Sequence, residues 1–258
     1  MILTKIICSR VEERNCSLPR PQPALISKSR SAIFPMYRIF TEISQWTEVW
    51  AMLIPLGIWT FYKTDRVGLK PVILYCWAGF LLYLLADFSW KTKEHIKLPE
   101  ILNDNNFIYN ILSIIRVLLF SWYFISLKPS HLNKLKRTLT LLFIAFTIFN
   151  FIFLEKFKDF SNNTHAAEVI ILLIFTASYF IHILRSDEMV SVRDPSFWII
   201  TGLFIYEAVN LFVFILYSNL SKKEPEFAFS LWHVHNVAEI LFCALMAKGF
   251  YESAKQNV

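Results

Sequence analysis

Glycine is scarce in this chain: Gly57, Gly68, Gly79, Gly202 and Gly249 are all that 258 residues contain. Carbonyl-lined filters, broken-helix transport sites and GxxxG seams draw on more glycine than this, and no internal repeat is present. A channel or a repeat-built transporter is therefore not expected. The four cysteines, Cys8, Cys16, Cys76 and Cys243, form no CxxC pair and no metal-ligand spacing, which removes a disulfide framework. Charge is thin as well, at 18% of residues, and it bunches between long apolar runs. A disordered chain and a soluble enzyme are both excluded by that pattern.

Apolar side chain is what the sequence has in excess. Hydrophobic residues make up 55% and aromatic residues 17%, with a mean hydropathy of +0.45. One soluble core of this size cannot hide so much, whereas a lipid solvent can. Seven runs meet the length of about 20 mostly apolar residues that a helical span requires. They are residues 43–62, 71–90, 107–127, 138–156, 165–185, 196–219 and 228–251, the first and fifth being the weakest. The expected fold is all-α: a polytopic membrane protein built as a bundle of seven transmembrane helices. Lys70-Pro71 and Asp194-Pro195-Ser196 mark sharp starts for the second and sixth helices, and Pro55 is expected to kink the first.

Residues 1–37 read as a basic, proline-bearing tail with poor order, and residues 38–258 as the helical domain. The tail has no signal-peptide core, and Met36 is an alternative start. All loops are short, the longest running from about Lys91 to Asn106, so no soluble domain is expected. The formal charge of +6 lies in loops and tail, where lipid headgroups rather than nucleic acid are the expected counter-ions.

Lysine and arginine counts set the orientation. Eleven fall in loops one, three and five plus the C-terminal end, against eight on the opposite side when the chain starts at Met36 and fourteen when it starts at Met1. The first count places the N-terminus outside the cell membrane and the C-terminus in the cytoplasm.

An ionisable group in mid-span costs about 2.5–3.5 kcal/mol on insertion scales, so each one carries a functional hypothesis. Glu207 and Asn210 share one face of the sixth run, His235 and Glu239 one face of the seventh, with Cys243 on the same stripe. Asn110, Ser113 and Arg116 follow at three-residue steps in the third. Asp87, Glu48, Asn150 and Glu168 fall at the same, outer, level of the bundle, and the inner half is nearly pure hydrocarbon. The expected ligand pocket is Glu207, Asn210, His235, Glu239, Arg116, Asn110 and Asp87, facing outward. In the competing structural reading, Arg116 is neutralised by Glu207 or Glu239 and only fixes the packing. Glu48, Asp87 and Glu168 are expected at the headgroups, and His95, His131, His165 and His182 in loops or at helix ends.

Trp232-His233-Val234-His235-Asn236 resembles a metal-binding HxH, but side chains two apart on a helix diverge by about 200°, and no metal is expected. No cofactor is expected either. A retinal protein needs a lysine midway along its last helix, and Lys248 lies near the inner end. The ceramidase and adiponectin-receptor type of hydrolase pairs serine and aspartate with an HxxxH on that helix. Asp87 and Ser89 match the first part; HxxxH is missing.

The segments DPSFWIITGLFIYEAVNLFVFILYSNL and FSLWHVHNVAEILFCALMAKGFY resemble the last two helices of a group of uncharacterised bacterial seven-helix membrane proteins. A Phe-Trp opening, Gly-x-x-x-Tyr and Trp-x-x-His-Asn carry the similarity. The resemblance implies no activity and no residue role, only that signalling with a separate histidine kinase is conceivable. The expected function is a sensor that binds a small or lipidic ligand and signals through a separate partner. The alternative is a membrane-embedded lipid-modifying enzyme using Glu239 or Glu207 with His235.

Overall fold

A computed structural model describes residues 46–63, 67–92, 105–127, 132–185, 193–223 and 225–256, without the side chains of residues 67, 90–92 and 215–230. The basic tail, Cys8, Cys16, His95 and His131 lie outside the described residues. Those residues are helical, with no strand among them. The seven helices are α1 (Thr47–Tyr62), α2 (Lys70–Thr92), α3 (Asn106–Ser126), α4 (Asn133–Phe149), α5 (Asn162–Arg185), α6 (Pro195–Lys223) and α7 (Pro225–Lys255). Five, α2 to α6, are long and apolar enough to cross a membrane. The protein is therefore an all-helical, membrane-embedded bundle.

Sequence chemistry sets the helix ends. Pro195 opens α6 where its missing N–H is harmless, and Asp194 Oδ1 accepts from Ser196 N at 3.0 Å to cap the first turn. Ser161 caps α5 in the same way, its Oγ accepting from Thr164 N at 3.1 Å. Pro55 lies inside α1, and the helix passes through it to Tyr62, ending on Lys63 in a left-handed turn at φ 43°. Helix α4 continues beyond Phe149 as a π turn over Asn150–Leu154, closed by Glu155 N donating to Asn150 O at 2.8 Å.

Short connections make neighbours antiparallel, and six helices close a ring in the order α1, α2, α3, α5, α6, α7, with α7 returning to α1. Helix α4 sits outside that ring against α3 and α5. Its phenylalanine-rich face, with Leu141, Leu142, Phe149, Ile152 and Phe153, is left exposed, as lipid contact requires. The ring interior is apolar and aromatic at one end, where Leu69, Val72, Phe124, Ile199, Met246 and Phe250 are buried. Gly202 and Gly249 bring α6 and α7 together there: a Cβ on Gly249 would stand 2.6 Å from Ile199 Cγ1 and 2.9 Å from the Pro195 carbonyl oxygen.

Candidate functional site

Antiparallel order places the first halves of α1, α3, α5 and α7 beside the second halves of α2, α4 and α6. Many of the buried polar residues, among them Glu48, Asn110, Asn150, His165, Glu168, Asn210 and His235, occupy those halves and meet towards that end. Arg116 is the centre. Its Nη1 donates to Glu168 Oε1 at 2.8 Å, Nε to the Tyr75 hydroxyl at 3.0 Å and Nη2 to the Tyr83 hydroxyl at 3.2 Å. The guanidinium also lies 5.0 Å from the Tyr206 ring centre. Arg116 and Glu168 are both buried, at 5% and 0% side-chain exposure.

The Arg116 partner corrects the sequence reading, which offered Glu207 or Glu239. Helix α3 packs on α5 within the ring, and Tyr206 of α6 covers the other side of the guanidinium. Glu48 is likewise buried within the bundle, where its Oε2 accepts from the Tyr109 hydroxyl at 2.8 Å. Helical spacing tells which residues share a face but not which helix that face meets.

Two buried histidines flank Phe214, with ring centres 5.2 and 6.3 Å from it. His165, one turn before Glu168 on α5, puts Nδ1 3.2 Å from Glu168 Oε2 and stacks on Phe160 at 4.4 Å. A carboxylate only accepts, so Nδ1 is the donor in this contact. His165 Nε2 is buried with no hydrogen-bond partner. His235 sets Nδ1 2.6 Å from Asn210 Oδ1, leaves Nε2 3.7 Å from Glu48 Oε1, and packs on Trp232 at 4.8 Å.

Between them lies a cavity of about 20 Å³, room for one water molecule. Tyr83, Tyr109, Leu112, Ser113, Arg116, Phe160, His165, Tyr206, Phe214, Trp232 and His235 form its wall. Ser113 Oγ lies beside the Glu168 carboxylate without the geometry of a hydrogen bond.

Of the seven residues expected to form a pocket, Arg116 and His235 line this cavity and Asn210 orients His235. Glu207 and Glu239 are fully buried close behind it but are not part of the wall. Both Glu207 oxygens and Glu239 Oε2 lack a hydrogen bond, and Glu239 Oε1 is 3.9 Å from Cys243 Sγ. Asp87 is half-buried and not in the wall. Asn110 has a different task. Its Nδ2 donates to the carbonyls of Phe157 and Asp159 at 2.9 and 2.8 Å, and its Oδ1 accepts from Ser161 N at 3.1 Å. It ties α3 to the connection that leads into α5.

His165 and the tyrosines were missed. The capped Ser161-Asn162-Asn163-Thr164 start, with His165 and Glu168 three apart behind it, was the signal for the former. Among the described residues no three of His, Cys, Asp and Glu converge on a metal position.

The fold and this cluster define a helical membrane protein with a small polar-lined cavity at one end. No family model, no curated protein and no solved structure matches the chain.

Proposed function

We propose that all seven helices cross the bilayer and that the protein is a membrane sensor. It takes a small polar ligand into the chamber beside Arg116 and passes a helix shift to a separate partner. The cavity carries this reading. A void lined by Arg116, His165, His235 and three tyrosines, with His165 Nε2 and Ser113 Oγ without a hydrogen bond, is suited to a polar guest. The wall draws on five helices, α2, α3, α5, α6 and α7, so a guest that displaces it moves several helices at once.

Seven spans are supported by the ring. Helices α1 and α7 pack against each other and against the apolar α2 and α6, and so share their slab. Helix α1 is 16 residues long, about 24 Å, and α7 carries the polar stripe of His235 and Glu239, which accounts for their weaker apolar signal. The lysine and arginine count from Met36 supports a chamber facing outside, with the C-terminus in the cytoplasm.

Native mass spectrometry of the gently purified protein, beside a Ser113→Val variant that fills the void, tests the ligand. A polar adduct on the parent that is missing from an equally stable variant is the expected result. Equal adducts on both proteins, or none on either, would overturn the reading.

A further inference from the structure

The cavity has room for one water, so a larger guest has to displace part of its wall, and the wall is not uniform. All but one of the residues that form it stand on helices, where a side chain moves far only if its packed helix moves with it. Phe160 is the exception. It belongs to the connection from Glu155 to Ser161, which joins α4 to α5. Residues 156–159 of that connection are exposed, with Asp159 N donating to the Lys156 carbonyl at 3.0 Å, and at Phe160 the chain turns inward. The Phe160 ring lies 4.4 Å from the His165 ring and nearly parallel to it, at 14°, with the Phe214 ring 6.2 Å away.

Asn110 holds the chain on both sides of that ring. Its Nδ2 donates to the carbonyl of Asp159, the residue before Phe160, and its Oδ1 accepts from the amide of Ser161, the residue after it. One side-chain amide thus brackets Phe160, and Nδ2 also donates to the Phe157 carbonyl at 2.9 Å. The two ends of the connection are drawn together by Ser161 Oγ donating to Glu155 Oε2. The result is a short loop closed at its base, with Phe160 on its inner side and Asn110 as its tie to α3. Three neutral hydrogen bonds and a ring stack are a smaller loss than the repacking of a helix, and the partly buried carbonyls can bond to water once released.

We propose that Phe160 is the gate of the cavity and Asn110 its latch. When the Asn110 bonds give way, the loop lifts the Phe160 ring off His165 and a guest passes to the space beside Arg116. The gate rests on the cavity taking a guest, as argued above, and names the way in.

Entry is read as the rate at which methyl methanethiosulfonate, a small neutral thiol reagent, modifies a cysteine placed at Ser113. The full chain is held in lipid nanodiscs, with Cys8, Cys16, Cys76 and Cys243 replaced, and modification is followed by intact mass; denaturant gives the rate of the unshielded thiol. Ser113→Cys alone is expected to react slowly. Phe160→Ala and, separately, Asn110→Leu should each speed the reaction about tenfold, the factor that one to two net hydrogen bonds carry. Gly249→Val strains the bundle at its other end and should leave the rate unchanged, which separates a gate from general loosening.

An unchanged rate in Phe160→Ala would overturn the gate; with a reactive parent thiol, the guest enters elsewhere and the polar-ligand reading stands. An unchanged rate in Asn110→Leu would overturn the latch, and an equal gain in Gly249→Val would reduce the whole effect to loosening and overturn both assignments. No reaction in any folded variant, with full reaction in denaturant, would remove the gate and the ligand reading together.

Discussion

Arg116 reaches across four helices, and the cost of removing its partner follows from its burial. A guanidinium left in hydrocarbon without its carboxylate keeps a charge that neither water nor tyrosine hydroxyls can balance. Glu168→Leu is expected to destabilise the fold by about 3–5 kcal/mol, and Arg116→Met with Glu168→Leu to recover most of that loss. Chemical unfolding in detergent measures both; a double variant no better than the single would show that the pair is not the source. Asn110 gives a second residue-scale expectation. Asn110→Leu strands the Phe157 and Asp159 carbonyls and the Ser161 amide, and should cost about 3 kcal/mol with the cavity left intact. Ligand response at a temperature where the variant is folded separates it from the cavity wall. The sequence flagged both residues because polar groups in apolar runs stand out. It could not separate a wall residue from a loop tether, since Asn110 and Arg116 share one helical stripe and differ only in what lies opposite.

Helix starts at Pro71 and Pro195 were legible because proline and the preceding Asp194 act within one turn. The seam between α6 and α7 was not. Two isolated glycines, 47 positions apart, carry no spacing motif, yet each faces side chains or backbone of the other helix at less than van der Waals distance from a notional Cβ. Gly249→Val must push α7 from α6, because one of the obstructing atoms is the backbone oxygen of Pro195. The expected loss is about 2 kcal/mol or more, by the usual cost of overpacking. Gly57→Ala, with nothing within 4 Å of its Cβ, is the control and should be neutral or slightly stabilising. Unfolding curves for the two variants, run side by side, check the contrast; equal stabilities would place the seam elsewhere. The π turn at the end of α4 was equally invisible in the sequence. It presents Asn150, fully buried, to Ser161 Oγ and Thr164 Oγ1 at 2.9 and 3.2 Å, fixing the α5 start that delivers His165 and Glu168.

At the scale of the molecule, apolar run length located the helices, and their alternation put the polar halves at one end. Ring order was beyond it, because hydropathy is blind to which neighbours a helix chooses, and that order is what makes α3 the partner of α5. The polar end also bears on how the bundle sits in the bilayer. If the chamber faces outside, the connection from Glu155 to Ser161 lies outside and the segment joining α5 to α6 lies in the cytoplasm. Single cysteines placed at Lys158, which is exposed, and at Arg185, at the exposed end of α5, should then label oppositely. A membrane-impermeant maleimide applied to intact cells is expected to modify the first and reach the second only after lysis, on a background in which Cys8, Cys16, Cys76 and Cys243 are replaced. Labelling of position 185 in intact cells, with position 158 protected, would turn the bundle over. The chamber would then sample the cytoplasm, and the lysine and arginine count from Met1, fourteen against eleven, would be the one that set the orientation.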